Sequence, residues 1–327
     1  MKRLIFLISF LFCVIFSFGQ KNVKKYYEYV NKAELAICDF QYEKAAQYYE
    51  KAFNSHTPFA FDLYNAARLN IKFTKNFDIA LQYAKILKER DFGGIYYEID
   101  TADTFHVQRF KNIEDSVKPL VNKDLMLILD KMLEEDQKQA STPQEMYEKC
   151  RVRHTHFVKL FKLKKEYGTL TEQKIGLYES SPIHIILIHA AQNQMSPQEL
   201  LLQDVLDGNV YAENYMQFFD LYLENIGQTP RYGYGWFSIF ISNDVLFIIH
   251  PDDIAKNNRE REKINVAETW EDYVKKAKYQ FLYGKFQIVP RSNYVTDEEE
   301  IKMMMQEIDE EHQKGIYKRE YVVREKN

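Results

Sequence analysis

Apolar positions recur at three- and four-residue steps over most of this chain, and that period predicts a mainly α-helical protein. Residues 26–53 carry two stripes, Tyr29, Ala33, Ala36 and Ile37, then Ala45, Tyr48, Tyr49, Ala52 and Phe53, with a turn near Asp39 to Gln41. After a linker containing Pro58, the pattern returns with Leu63, Ala67 and Ile71 on one helix and Phe77, Ala80, Ala84 and Leu87 on the next. The small residues Ala33, Ala45 and Ala52 let antiparallel helices approach closely. Asp91-Phe92-Gly93-Gly94 closes this region, with Gly93 or Gly94 suited to a left-handed cap. Mixed polarity over 93–116 reads as a connector with short helical turns.

A longer helical body follows from Val117. Leu125, Leu129, Met132 and Leu133 lead into Glu134-Glu135-Asp136-Gln137. Thr142-Pro143-Gln144-Glu145 has the form of a capped helix start, and Ser196-Pro197-Gln198-Glu199 repeats it. Ser181-Pro182 opens the most apolar helix, which contains His184 and His189. Five positions apart, these two histidines point to different sides, whereas a helical metal pair is spaced nearer four. Beyond a helix over 212–223 comes a glycine-aromatic loop, Gly227 to Trp236, of the kind that lines a pocket. Residues 237–241 and 245–249 alternate around Ser242-Asn243-Asp244 as a small antiparallel β-hairpin. Helices are expected at 254–262, 269–279 and 296–308, with short strands at 285–289 and 316–324.

The first twenty residues break this rhythm. Lys2 and Arg3 precede an apolar run from Leu4 to Phe16, and Ser17 to Gln20 turn small or polar. The segment reads as a secretory signal peptide, so the expectation is an exported protein, periplasmic or extracellular, with no membrane span after cleavage. A membrane anchor is the competing reading, disfavoured because a span needs about 20 apolar residues. The chain has 44 Lys and Arg against 48 Asp and Glu. Without a basic tract, nucleic acid is excluded as a partner class. Cys13 leaves with the leader. Cys38 and Cys150 remain, and Cys38 lies in a helical apolar pattern that suits a buried free thiol better than a disulfide.

The step from Ala45 to Ala80 is 35 residues, and a tetratricopeptide unit repeats at about 34. Ala45-Tyr49-Ala52 resembles the second-helix signature of that family, and Ala80-Ala84-Leu87 a weaker copy. The resemblance implies two repeat units, read either as a platform for a protein or peptide partner or as a structural extension that buries its own apolar faces. From about Leu125 to Tyr279 the chain resembles the uncharacterised domain of unknown function 6624, common in exported Bacteroidota proteins. The matching residues are Asp136-Gln137, Gly168, Gly176, His189-Ala190, Asp220, Gly227, Tyr232-Gly233, Ile249 to Pro251, Asn258 with Arg261, and Trp270 with Tyr273. Departures are Leu221, where the family shows Arg after the aspartate, and Arg231 and Tyr234, where it shows Gln and Thr around the Tyr-Gly pair. The organisation read from these patterns is a leader at 1–20, repeats at 21–92, a connector at 93–116, a mainly helical domain at 117–290 and a charged helix and tail at 291–327.

The resemblance gathers Asp136, Gln137, His189, Asp220, Arg231, Tyr232 and Arg261 as candidates. His189, Asp136 and Asp220 are the acid/base candidates, since a carboxylate can orient an imidazole for proton transfer. Gln137, Arg231, Tyr232 and Arg261 are the binding candidates, because arginine holds an anion in bidentate fashion. The same residues also suit a buried polar network that fixes helix packing. No cofactor or metal is implied, and no serine or cysteine nucleophile motif is present. Two functions are carried forward. The first is an exported binding or scaffolding protein, which requires an exposed aromatic patch on the first region. The second is an envelope enzyme with an acid/base site around Asp136 and His189, which requires those residues and an arginine to meet where solvent reaches.

Overall fold

Local periodicity becomes helices wherever the apolar stripe has something to pack against. A computed structural model describes residues 22–177, 181–234, 239–242, 245–251, 253–284, 286, 288, 293–294, 306 and 318–323. The leader, the helix expected at 296–308 apart from residue 306, and most of the strand expected at 285–289 lie outside the described residues. Helix α1 covers 22–38 and α2 Tyr42–Ser55, joined by a turn in which Phe40 takes a left-handed φ of 58°. Ala33, Ala45 and Ala52 are wholly inaccessible, as close approach of two helix backbones requires. Helices α3 (Ala60–Lys72) and α4 (Phe77–Glu89) pack on each other, α4 capped by Asn76 accepting from Ile79 N–H at 3.3 Å.

The end of α4 differs from expectation. Asp91, not a glycine, takes the left-handed position after it, with φ 61°. Gly94 (φ 87°) instead opens a 3-10 turn at Ile95–Glu98. The connector also holds a full helix, α5 (Thr104–Ser116), started by Asp103 accepting from His106 N–H at 3.2 Å. Phe110 is its only buried residue, so the stripe was too thin to show a period. Packing against α4 and the 3-10 turn supplies what propensity does not.

The larger body comprises α6 (Lys123–Asp136), α7 (Pro143–Tyr167), α8 (Glu172–Ile175), α9 (Pro182–Gln192), α10 (Gln198–Leu206) and α11 (Ala212–Asn225). Thr142 and Glu145 form the expected capping box of α7. At α10 that signal fails: the helix begins after Pro197, and Ser196 Oγ accepts from Gln198 N–H at 3.3 Å rather than from the third helical residue. The chain then runs through β1 (Ile239–Ser242), β2 (Val245–His250), α12 (Ile254–Lys263), α13 (Trp270–Tyr283), β3 (Asn293–Tyr294) and β4 (Lys318–Val323).

The hairpin is correct but incomplete as read from sequence. Strands β1 and β2 pair antiparallel, Ile239 opposite Ile248, and form the centre of a four-stranded sheet ordered β3-β1-β2-β4. Strand β3 joins β1 in parallel and β4 joins β2 antiparallel, so both edges come from the C-terminal tail. Such pairings are set by distant partners, which leave no local period.

Apolar burial falls into two clusters. The smaller joins α3, α4, the 3-10 turn and α5 through Leu63, Ala67, Ala80, Leu87, Ile95 and Phe110. The larger contains α1 and α2 together with α6, α7, α9 to α11 and α13. The first two helices therefore share a core with the C-terminal body. Polar contacts cross the same seam: Ala212 N–H donates to Tyr27 Oη at 2.8 Å, Asn31 Nδ2 to Asp272 at 3.0 Å, and Lys276 pairs with Glu34. Glu172 accepts from the Ala60 N–H at 2.7 Å and from Arg90 at 3.1 Å, tying α8 to α3 and the end of α4. Among the described residues, no helix is long and apolar enough to cross a membrane.

Candidate functional site

Helix α6 buries Leu125, Leu129, Met132 and Asp136, steps of four, three and four that carry a carboxylate inward on an apolar stripe. Asp136 is fully buried at the helix C-terminus, where the macrodipole disfavours an acid, so the site calls for cations. Helices α7 and α9 supply them. His189 directs Nδ1 to Asp136 Oδ2, and Arg153 Nε lies 3.3 Å from Asp136 Oδ1 as an ion pair. Gln137 Nε2 donates to Asp136 Oδ2 at 3.3 Å. The Asp136 side chain is 1% exposed, those of His189 and Arg153 18% and 17%. A closed carboxylate thus orients an imidazole and a guanidinium that both reach the surface. The contact uses Nδ1 of His189, which leaves Nε2 as the ring atom to meet a ligand. Asn193 Nδ2 donates to the His189 carbonyl at 2.7 Å and fixes the end of α9.

Asp220, Arg231, Tyr232 and Arg261 assemble a different structure. Asp220 is fully buried and accepts backbone N–H groups from Arg231 (2.7 Å), Tyr232 (3.0 and 3.1 Å) and Tyr234 (2.8 Å). Burial pushes its carboxyl up to about 6, against the opposing pull of those N–H groups and the Arg261 charge. The loop is held from its other side by α12. Asn257 Nδ2 donates to the Arg231 carbonyl at 2.7 Å, and Arg261 Nε to the Tyr232 carbonyl at 2.8 Å. Arg261 is itself fully buried, its guanidinium 4.9 to 5.9 Å from the ring centres of Tyr234, Tyr273 and Trp270. Gly233 takes φ 74° and passes close to Trp270, where a Cβ would meet the indole at 3.4 Å. Arg231 lies over the Phe219 ring at 4.7 Å. Asp220 is thus a loop clamp that spends its acceptors on backbone, and Arg261 is an internal strut.

The expected constellation therefore divides into Asp136, Gln137 and His189 on one side and Asp220, Arg231, Tyr232 and Arg261 on the other. The arginine paired with Asp136 is Arg153 rather than Arg231 or Arg261. No family model, no curated protein and no solved structure matches the chain. Function is accordingly argued from the geometry of the site alone.

Arg153 was legible in one respect. It stands four before Phe157 and seven before Leu160, on the buried stripe of α7, where a charge needs a partner. Lys276, three after Tyr273 on α13, and Glu34, four after Val30 on α1, carry the same signature. His184 is 1% exposed with its ring edge on Phe218 at 5.1 Å, a core position. Among the described residues, no group of three His, Cys, Asp or Glu side chains is placed to hold a metal. Cys38 is a buried free thiol, pushed up to about 12 by burial, and Cys150 is exposed and free.

Proposed function

We propose that this protein is an envelope enzyme with a general acid/base site at His189, hydrolytic toward a small anionic substrate. One observation carries the reading: Asp136, closed off from solvent, hydrogen-bonds His189 through Oδ2 and lies within ion-pair distance of Arg153 through Oδ1, while both partner side chains are partly exposed. In this reading Asp136 fixes the tautomer and orientation of His189, whose Nε2 takes the proton of an attacking water and returns it to the leaving group. Arg153 holds the anionic group of the substrate. The export expected from the leading segment belongs to the same proposal and gives the enzyme its envelope setting.

The scaffolding reading requires an exposed aromatic patch on the first region. Tyr26, Tyr27, Tyr49, Phe59 and Phe61 of the first region are buried. Phe40, half exposed, packs against the rings of Tyr279 and Tyr283 at 5.6 and 5.1 Å. These aromatics serve the core rather than a partner face.

The test is turnover of a panel of nitrophenyl carboxylate and phosphate esters by the full chain and by H189Q. The expectation is hydrolysis above buffer that falls by about 10²-fold or more in H189Q. Wild-type inertness across the panel, or equal rates in the two proteins, would overturn the proposal.

A further inference from the structure

The interior between α1 and the C-terminal helices holds more acid than base. Glu34 on α1, Asp62 on α3, Glu213 on α11 and Glu268 just before α13 are all buried, against Lys276 on α13 and Arg261 on α12. Their pairing is uneven. Lys276 serves Glu34 and, at 2.8 Å, Glu268. Arg261 reaches Glu268 at 3.2 Å, and Tyr234 Oη donates to Glu268 at 3.1 Å. Asp62 receives the Tyr26 hydroxyl. Among the described residues, no group donates to Glu34 Oε1, Glu213 Oε2 or Asn31 Oδ1, and all three residues line one cavity of about 10 Å³. Full ionisation would leave two net negative charges in a medium where burying even one unpaired charge is costly.

We propose that this cavity is a proton-gated latch: α1 stays seated while Glu213 keeps its proton, and alkalinisation releases α1 from α11 and α13. The groups facing Glu213 make the direction plain. Glu34, Glu268 and Asp62 face it as acids and Lys276 as the nearest cation. Tyr27, Tyr211 and Tyr234 add only phenols, which burial keeps neutral. Burial and these neighbouring acids raise the Glu213 carboxyl well above its ordinary 4.5, so the folded chain holds a proton that the unfolded chain has lost. Glu34, raised to about 7 with burial as the leading cause, adds to the same trend. A state that binds the extra proton is weakened as pH rises from the unfolded value through the folded one.

These groups lie on the boundary between α1 and the C-terminal helices. α1 meets the C-terminal helix through Asn31 with Asp272, Glu34 with Lys276 and, at the surface, Asp39 with Lys275 at 2.7 Å. Losing Glu213's proton adds a third carboxylate to Glu34 and Glu268 around the single cation Lys276. Release would uncover the faces of α11 and α13 that α1 now covers.

Hydrogen exchange on the full chain tests this, with protection factors corrected for the intrinsic pH dependence of exchange, at about pH 6 and about pH 9. Amides of residues 26–38 are expected to lose at least about tenfold in protection at the higher pH while α7 and α9 hold theirs. E213Q is expected to keep residues 26–38 protected at both. Unchanged protection of that segment in the wild type, equal loss throughout the molecule, or an E213Q profile that follows the wild type would each overturn the latch. Should E213Q not fold, the wild-type profile alone decides.

Discussion

Asp136 and Asp220 are both fully buried carboxylates on helices of one body, yet they hold opposite things. Asp220 accepts three backbone N–H groups and immobilises a loop. Asp136 accepts from side chains, one of them an imidazole with an edge at the surface. Burial of an acid therefore does not distinguish a working site from a structural one. The nature of its partners does: a carboxylate satisfied by backbone has no mobile group through which to act, whereas one that accepts from an imidazole and pairs with a guanidinium transmits its charge to groups that can meet a ligand.

The contrast can be broken from either end. The largest effect is expected for Asp220→Ala, which strands three backbone donors in the interior. It should lower unfolding free energy by about 3–5 kcal/mol in urea titrations. A cost below about 1 kcal/mol would remove the loop-clamp role. The next is a pH effect. Asp220 binds its proton more tightly in the folded chain (about 6) than an ordinary aspartate at 3.8. The folded state therefore carries the extra proton between those values, and stability falls as pH rises through that window, by about 2–3 kcal/mol. The difference between the wild-type and D220N stability profiles isolates this from Glu34, which titrates in the same sense. A flat difference between pH 4 and 6 would show that Asp220 is already ionised when buried.

Asp136→Asn should cost less stability, about 1–2 kcal/mol, because its cationic partners can turn to water. Its larger signature is on turnover, a drop of about tenfold or more as His189 loses its orienting charge. The smallest structural effect is expected for H189Q, within about 0.5–1 kcal/mol of wild type by thermal unfolding, although it removes the proposed proton carrier. If H189Q instead unfolds the protein as D220A does, His189 is a packing group and the two aspartates are alike.

Much of the candidate site was legible. Asp136, Gln137 and His189 were singled out together and do meet. The resemblance read in the sequence singles them out, and α6 turns Asp136 inward on its apolar stripe. Asp220 and Arg231 also meet, but through Arg231's backbone N–H, which no side-chain pattern announces. Arg153 was passed over because α7 reads as a charged surface helix on most of its turns. Helix α5 was missed for a related reason, a single buried residue giving no period.

The sequence alone determined most of the helices, the capping box of α7 and the hairpin at the centre of the sheet, because each depends on residues close together along the chain. Only the tertiary structure decided that α1 and α2 share the core of the later helices, that strands from the tail complete the sheet, and which arginine pairs with Asp136. Those choices are made by long-range packing and by the demand that buried charges be paired. Neither leaves a mark on the local spacing of residues.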